Sequence, residues 1–179
     1  MKTPWPAFVL ALALSLVFTA SLPAAEKRPA RPAVPKNPQI DYLGFLKGAV
    51  DVDQIREKRR VTEAQFLQMM QDPDTVVLDA RSAEKYRRLH INGARNLSLP
   101  DITEAELANL IPTKGTRVLI YCNNNFDKAP KAFPGKGVTV SLNLYTFHTL
   151  HGYGYTNVYE LGPFLDITQS ILPFVGKKE

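Results

Sequence analysis

Apolar positions in this chain fall into short runs from residue 61 onward, and segments with helical spacing separate these runs. The apolar runs predict buried strands over residues 75–79, 94–97, 117–121 and 157–161. Helices are predicted to begin near Thr62, Ser82, Thr103 and Ser141, and a closing helix is predicted over residues 166–174. Short apolar strands that alternate with helices indicate an α/β fold, in which helices cover both faces of a parallel sheet.

Cys122 is the only cysteine in the chain, and it directly follows the predicted strand 117–121. The three asparagines after it, residues 123–125, favour turns and tolerate unusual backbone angles. α/β proteins place reacting groups at the carboxyl ends of parallel strands. Because an intramolecular disulfide is impossible, the thiol is a buried small side chain, an intermolecular crosslink or a nucleophile.

The first 60 residues divide into three predicted segments ahead of a globular domain over residues 61–176. Residues 1–25 combine Lys2, an apolar run and a small-residue end, which is the pattern of an export signal peptide. The apolar run is short for a spanning helix, which needs about 20 apolar residues. An uncleaved anchor is therefore the lesser alternative, and no stable span is expected after cleavage. Residues 26–40, with four prolines, form a predicted linker, and residues 41–60 form a short extension.

The chain carries 22 Lys and Arg against 17 Asp and Glu, a formal net charge of +5. Loss of residues 1–25 would remove Lys2 and no acid, which leaves the chain mildly basic. The basic clusters at residues 56–60 and 87–88 are not interleaved with aromatic residues and are interpreted as solvated faces. Nucleic acid is therefore not an expected partner, and the predicted location is periplasmic or secreted.

Five segments, in this order, resemble the rhodanese-like domain family, which has the sulfurtransferase fold. They are residues 61–67, the Val-Val-Leu-Asp-Ala-Arg region at 76–86, the turn His-Ile-Asn-Gly-Ala-Arg-Asn at 90–96, the strand 118–122 and the return strand 152–162. The resemblance spans roughly residues 61–176. It implies a three-layer α/β fold with a parallel sheet of about five strands and helices on both faces.

The same resemblance implies a two-step transfer of sulfur, with Cys122 at the position of the catalytic cysteine. In the family, the thiolate attacks the outer sulfur of a donor such as thiosulfate, becomes a persulfide, and passes that sulfur to a thiol or to cyanide. The implied partners are a small sulfur-containing anion and a thiol acceptor, with a protein partner as a further option. No metal and no organic cofactor are implied.

The loop after Cys122 departs from the family pattern. The usual loop has six residues and often ends in arginine, whereas residues 123–137 contain no arginine and Asp127 stands where it would face the anion. The hypothesis is that a lysine of this insertion replaces it: Lys128, Lys131 or Lys136. The next helix is predicted to begin only near residues 138–141, which is expected to leave the thiol outside the reach of its dipole.

A phosphatase on the related dual-specificity plan is excluded, because phosphoryl transfer needs a bidentate arginine at the sixth position after the cysteine. That position holds Lys128. The candidate substrate-binding residues are the six after the cysteine: Asn123, Asn124, Asn125, Phe126, Asp127 and Lys128.

Asp79 and Arg81 match the family signature and are interpreted as supporting residues that pair with each other and fix nearby loops. His90 is interpreted as a hydrogen-bonded structural histidine. His148 and His151 are three residues apart, but no acidic or cysteine partner is evident nearby, so no metal site is predicted.

Two main classes of function remain. The retained Cys122 favours an exported sulfurtransferase, while the longer, arginine-free loop favours a non-catalytic rhodanese-like module that binds a protein or a small ligand. A third, overlapping option is a redox role, in which the lone thiol crosslinks to a partner in an oxidising compartment.

Overall fold

A parallel sheet of five strands forms the centre of the protein in the computed structural model, which describes residues 35–176. The predicted signal peptide and most of the predicted linker therefore lie outside the described residues. In chain order the strands are β1 (Arg60–Val61), β2 (Thr75–Asp79), β3 (Leu89–Ile91), β4 (Arg95–Asn96), β5 (Arg117–Tyr121), β6 (Phe126–Asp127), β7 (Val158–Leu161), β8 (Leu165–Asp166) and β9 (Phe174–Gly176). The helices are α1 (Tyr42–Arg56), α2 (Glu63–Met69), α3 (Ala83–Arg88), α4 (Glu104–Leu110) and α5 (Leu142–Gly152).

The main sheet has the strand order β1-β7-β5-β2-β4, and all of its neighbouring strands are parallel. The predicted strands over residues 75–79 and 117–121 are confirmed at both ends, and the other two are slightly shorter than predicted. Two small two-stranded sheets, β3 with β9 and β6 with β8, lie beside the main one. The predicted α/β fold with about five parallel strands is confirmed.

Side chains of β5 alternate between two apolar clusters, one on each face of the sheet, as the period of a strand requires. Val118 and Ile120 pack in the cluster that contains residues of α1, α4 and α5. Leu119 and Tyr121 pack in the opposite cluster with Phe66 of α2. Cys122 follows Tyr121 directly, and the same alternation directs it to the face of α1, α4 and α5.

The predicted capping signals account for the starts of two helices. Thr62 Oγ1 accepts from the Gln65 N–H at 3.2 Å, and Gln65 Oε1 accepts from the Thr62 N–H at 2.9 Å, which completes the capping box of α2. Thr103 Oγ1 caps α4 by accepting from the Glu106 N–H at 3.2 Å.

The extension at residues 41–60 is mostly helical. Asp41 caps α1 by accepting from the Gly44 N–H at 2.9 Å. Val52 and Ile55 of α1 pack in the same cluster as Phe147 and Leu150 of α5. The extension therefore belongs to one of the helical layers.

The predicted closing helix over residues 166–174 is wrong. Asp166 ends β8, and its carboxylate accepts from the N–H and hydroxyl groups of Thr168, which makes a local turn in place of a helix. Pro173, which has no N–H to donate, precedes β9, and β9 pairs antiparallel with β3. Among residues 35–176, no helix is long and apolar enough to cross a membrane.

Candidate active site

Cys122 lies just past the carboxyl end of β5, the middle strand of the main sheet. It is 1% exposed, and it lines a cavity of about 760 Å³ at this edge of the sheet. The cavity wall comes from the loop 123–138, the start of α5, the end of β7 and two arginines of the N-terminal extension. Cys122 therefore borders a cavity whose volume suits a small ligand.

Asn125 fixes the backbone at Cys122. Its Oδ1 accepts from the Cys122 N–H at 2.8 Å and from Asn143 Nδ2 at 3.2 Å. Its Nδ2 donates to the Leu161 carbonyl at 2.8 Å and to that of Pro163 at 3.2 Å. Both ends of this buried amide are occupied by protein groups, so Asn125 ties the end of β5 to the end of β7.

The other two asparagines hold the inserted loop. Asn123 Nδ2 donates to the Pro134 carbonyl at 2.9 Å. Asn124 donates to the Lys136 carbonyl at 2.8 Å and accepts from the Lys136 N–H at 3.0 Å. The asparagine side chains thus fold residues 134–136 back over the 3-10 turn at Asn123–Asn125. Asn123 Oδ1 and Asn143 Oδ1 are buried without a partner in the described residues.

Ser141 brings the start of α5 to the thiol. It occupies the position before the first residue of α5, yet its hydroxyl makes no capping hydrogen bond. Ser141 Oγ instead lies 3.5 Å from Cys122 Sγ. The expectation that the longer loop removes the helix dipole from the thiol is therefore wrong. The loop returns to the site, and the amino-terminal end of the 11-residue helix α5 lies beside Cys122.

Asp79, Arg81 and Tyr121 form a buried polar network on the other face of the sheet. Arg81 Nε donates to both carboxylate oxygens of Asp79, at 2.9 and 3.1 Å, and Tyr121 donates to the same carboxylate at 2.6 Å. The remaining Arg81 donors reach the carbonyls of Ala132 and Leu89, both at 2.8 Å. Arg81 therefore anchors the inserted loop and is not among the residues that line the cavity.

The electrostatics of this network follow from its burial. Burial alone would lower the pKa of Arg81, but the hydrogen bond and the charge of Asp79 outweigh it and raise that pKa. Burial and the negative charge of Asp79 raise the pKa of Tyr121 well above its ordinary value. The arginine is therefore always charged and the tyrosine neutral, which keeps the network intact at physiological pH.

The last three predicted substrate residues have different environments. Phe126 is buried and packs on Phe133 with ring centroids 4.7 Å apart, although it also borders the cavity. Asp127 is exposed and lies 3.4 Å from the ammonium of Lys128. Lys128 is the one non-glycine residue of the described chain with a positive φ, 66°. Lys128 and Lys136 line the cavity, and Lys131 does not.

Sequence reasoning missed three charged residues in the cavity wall: Arg56, Arg60 and Glu160. Arg56 Nε donates to Glu160 Oε2 at 2.8 Å, and Arg60 Nε lies 3.4 Å from Glu160 Oε1. Burial raises the pKa of Glu160, and the two arginines offset part of that rise. The sequence offered only the basic cluster at residues 56–60, because the acid that faces it is about one hundred residues away.

The histidines contact other parts of the fold. His90 Nδ1 lies 2.7 Å from the Tyr86 carbonyl, and its ring stacks on Tyr86. His148 Nε2 lies 3.2 Å from the Phe45 carbonyl, which connects α5 to α1. Within residues 35–176, no group of three or more His, Cys, Asp or Glu side chains is arranged to hold a metal ion.

The chain belongs to the rhodanese-like domain family, which matches residues 62–162, more than half of its length. No curated protein matches it significantly. Similar solved structures include a rhodanese with anions from E. coli, with 23% identity, coverage of 57% of this chain and 99% of that chain, and a TM-score of 0.37. The rhodanese-like domain of the Alr3790 protein from Anabaena sp. is 20% identical, with 66% of this chain and 80% of that domain covered and a TM-score of 0.46. The BH2092 protein from Bacillus halodurans is 19% identical, with 66% of this chain and 77% of that chain covered and a TM-score of 0.43.

Proposed function

We propose that this protein is an exported sulfurtransferase that moves sulfane sulfur from a thiosulfate-like donor to a thiophilic acceptor through a persulfide on Cys122. The contact that carries the proposal joins Cys122 Sγ to Ser141 Oγ at 3.5 Å, at the start of α5 and inside the cavity. A hydroxyl donor and the positive end of a helix both stabilise a thiolate, which is the reactive form of cysteine.

The reaction balances without an oxidant or a metal. The Cys122 thiolate attacks the outer sulfur of thiosulfate, a Cys–S–S bond forms, and the S–S bond of the donor breaks so that sulfite leaves with the electron pair. A thiolate or cyanide then attacks the outer sulfur of the persulfide. Cys122 leaves as a thiolate, and the enzyme returns to its first state.

The charge of the cavity wall supports an anionic donor. Among residues 35–176, four cations line the cavity, Arg56, Arg60, Lys128 and Lys136, against the two acids Asp127 and Glu160. An excess of positive charge in a concave site raises the local concentration of small anions. This excess and the family to which the chain belongs both support an anionic sulfur donor.

A second candidate is a binding module without catalysis, and two observations favour it. Cys122 is only 1% exposed, and the asparagines after it bind the protein's own backbone. In this reading the folded loop 123–138 is a recognition surface, and Cys122 is a small apolar side chain beneath it.

Steady-state transfer from thiosulfate to cyanide separates the two candidates. Thiocyanate formed by the wild-type chain, and lost in Cys122→Ser, is the result expected of the enzyme. Absence of thiocyanate from a folded protein would favour the module, and in that case Cys122 should also be inert to iodoacetamide at all pH.

The proposed export has its own test, in which the full chain is expressed in a bacterium with a periplasm. We expect a mature amino terminus near residue 26 in the periplasmic fraction, and an uncleaved chain in the cytoplasm would contradict export.

A further inference from the structure

We propose that the extension ahead of the family domain completes the Cys122 site: Arg60 draws the anionic group of a substrate to the thiol, and Arg56 neutralises the buried acid beside it. The family match begins at residue 62, so both arginines lie outside the matched range. The identity of the substrate rests on the proposed function, whereas the attraction of anions to Cys122 can be measured without it.

The sheet register brings these groups to one place. Arg60 in β1 is the partner of Glu160 in β7, and Glu160 is the partner of Ile120 in β5. Side chains alternate along a strand, so Cys122, two residues after Ile120, points to the same face as Glu160. From the strand spacing and the rise per residue, the Cα atoms of Glu160 and Cys122 are about 8 Å apart.

The two arginines have different roles in this arrangement. The side chain of Arg56 is 19% exposed and engages Glu160 through both Nε and Nη2, so its charge is balanced by that carboxylate. The side chain of Arg60 is 42% exposed, and its contacts are longer: 3.4 Å to Glu160, 3.3 Å to the Gly162 carbonyl and 3.5 Å to Glu57. Arg60 is therefore the accessible guanidinium of the pair.

The inserted loop presents a weaker cation on its own side of the cavity. The side chain of Lys128 is 60% exposed, and its ammonium lies 3.4 Å from Asp127 Oδ2. This acid stands at the loop position where an arginine would face the anion. Arg60 supplies a guanidinium from β1, and that group has the planar fork that matches an oxyanion.

A charge-selective labelling experiment on the full-length chain tests the inference. The rates of Cys122 modification by neutral iodoacetamide and by anionic iodoacetate are compared at low ionic strength, in the wild type and in Arg60→Gln. We treat Arg60 as a unit charge about 10 Å from the reacting sulfur, in a medium between water and protein interior. Its removal should then lower the ratio of the iodoacetate rate to the iodoacetamide rate about threefold. High salt should remove most of this difference.

Arg59→Gln is the matched control. It removes the same charge one residue away, but Arg59 stacks over Tyr159 at 4.4 Å, donates to Asn157, and does not line the cavity. Its ratio should stay at the wild-type value, and Arg60→Lys should retain most of the selectivity. An unchanged ratio in Arg60→Gln, an equal fall in Arg59→Gln, or a Cys122 that neither reagent modifies would overturn the inference.

The outcome is independent of the thiocyanate assay. A selective Cys122 that forms no thiocyanate would leave the inference intact and remove the proposed function. Thiocyanate formation with an unchanged labelling ratio in Arg60→Gln would support the proposed function and overturn the inference.

Discussion

Replacement of Arg81 by lysine should destabilise the protein strongly, although it preserves the charge. Arg81 is 2% exposed, and its guanidinium donates to three groups: the Asp79 carboxylate and the carbonyls of Ala132 and Leu89. A lysine ammonium can keep the Asp79 pair, but it has no planar fork to reach the two carbonyls as well. The carbonyls of Ala132 and Leu89 would then lose their hydrogen bonds in a buried site.

The magnitude follows from those two lost partners. A hydrogen bond to a charged group contributes about 1.5–3 kcal/mol, so we expect Arg81→Lys to lower the free energy of unfolding by about 3 kcal/mol. Arg81→Met also leaves the Asp79 carboxylate unpaired and should cost about 3–5 kcal/mol. The total free energy of unfolding of a typical domain is only about 5–15 kcal/mol, so either substitution would remove a large share of it.

Urea denaturation at neutral pH, followed by far-UV circular dichroism, measures these changes. Arg88→Lys is the control, because Arg88 pairs with Glu84 on the surface at 3.0 Å and should change the stability by less than about 0.5 kcal/mol. Amide hydrogen exchange should also be faster at Ala132 and Phe133, whose N–H groups bond to Ala129 in the anchored loop. A loss below about 1 kcal/mol in Arg81→Lys, with unchanged exchange, would refute the reasoning.

Three further predictions concern the cavity. Ser141→Ala should slow the reaction of Cys122 with iodoacetamide about fivefold at neutral pH, because it removes one hydrogen bond to the reacting sulfur. Ser98→Ala is the control, because Ser98 does not line the cavity, and equal rates in the two variants would contradict the role of Ser141. Burial makes the pKa of Glu160 higher in the folded protein than in the unfolded chain. The contribution of this group to the free energy of unfolding is therefore fully present at pH below the unfolded pKa, and it is lost as pH rises through the folded pKa. Urea denaturation from about pH 4 to about pH 7 should show the wild type losing stability relative to the non-titrating Glu160→Gln as pH rises, and a constant difference would contradict this. Lys128→Gly should stabilise the protein by up to about 1 kcal/mol, because φ is 66° at this residue and glycine adopts a positive φ without strain. Lys131→Gly is the control and should not stabilise the protein, because Lys131 has no positive φ. A destabilised Lys128→Gly would show that the contacts of the lysine side chain outweigh the backbone strain.

The sequence predicted those elements whose signal is local. The strands over residues 75–79 and 117–121 are continuous apolar runs, and Thr62 and Thr103 are local capping signals, so each could be read within a few residues. The position of Cys122 at the end of the middle strand follows from the same runs. The turn formed by Asn123–Asn125 was also foreseeable, but the distant groups bound by these asparagines, 11 to 38 residues away, were not.

The elements that were missed depend on distant partners. β1 has only two residues, Arg60 and Val61, which form a strand because they pair with β7. The basic cluster at residues 56–60 resembles a solvated face until Glu160 is brought opposite it. Residues 166–174 were predicted as a helix, but Asp166 forms a turn with Thr168 and β9 pairs with β3.

The central claim is that Cys122 takes sulfur from a thiosulfate-like donor, and intact-mass analysis tests it most directly. The reduced protein is incubated with thiosulfate, freed of small molecules and weighed beside Cys122→Ser. We predict that the wild type gains the mass of one sulfur atom, that a reductant removes this mass, and that the variant gains none. A wild-type mass that stays unchanged, while iodoacetamide still labels Cys122, would contradict the claim.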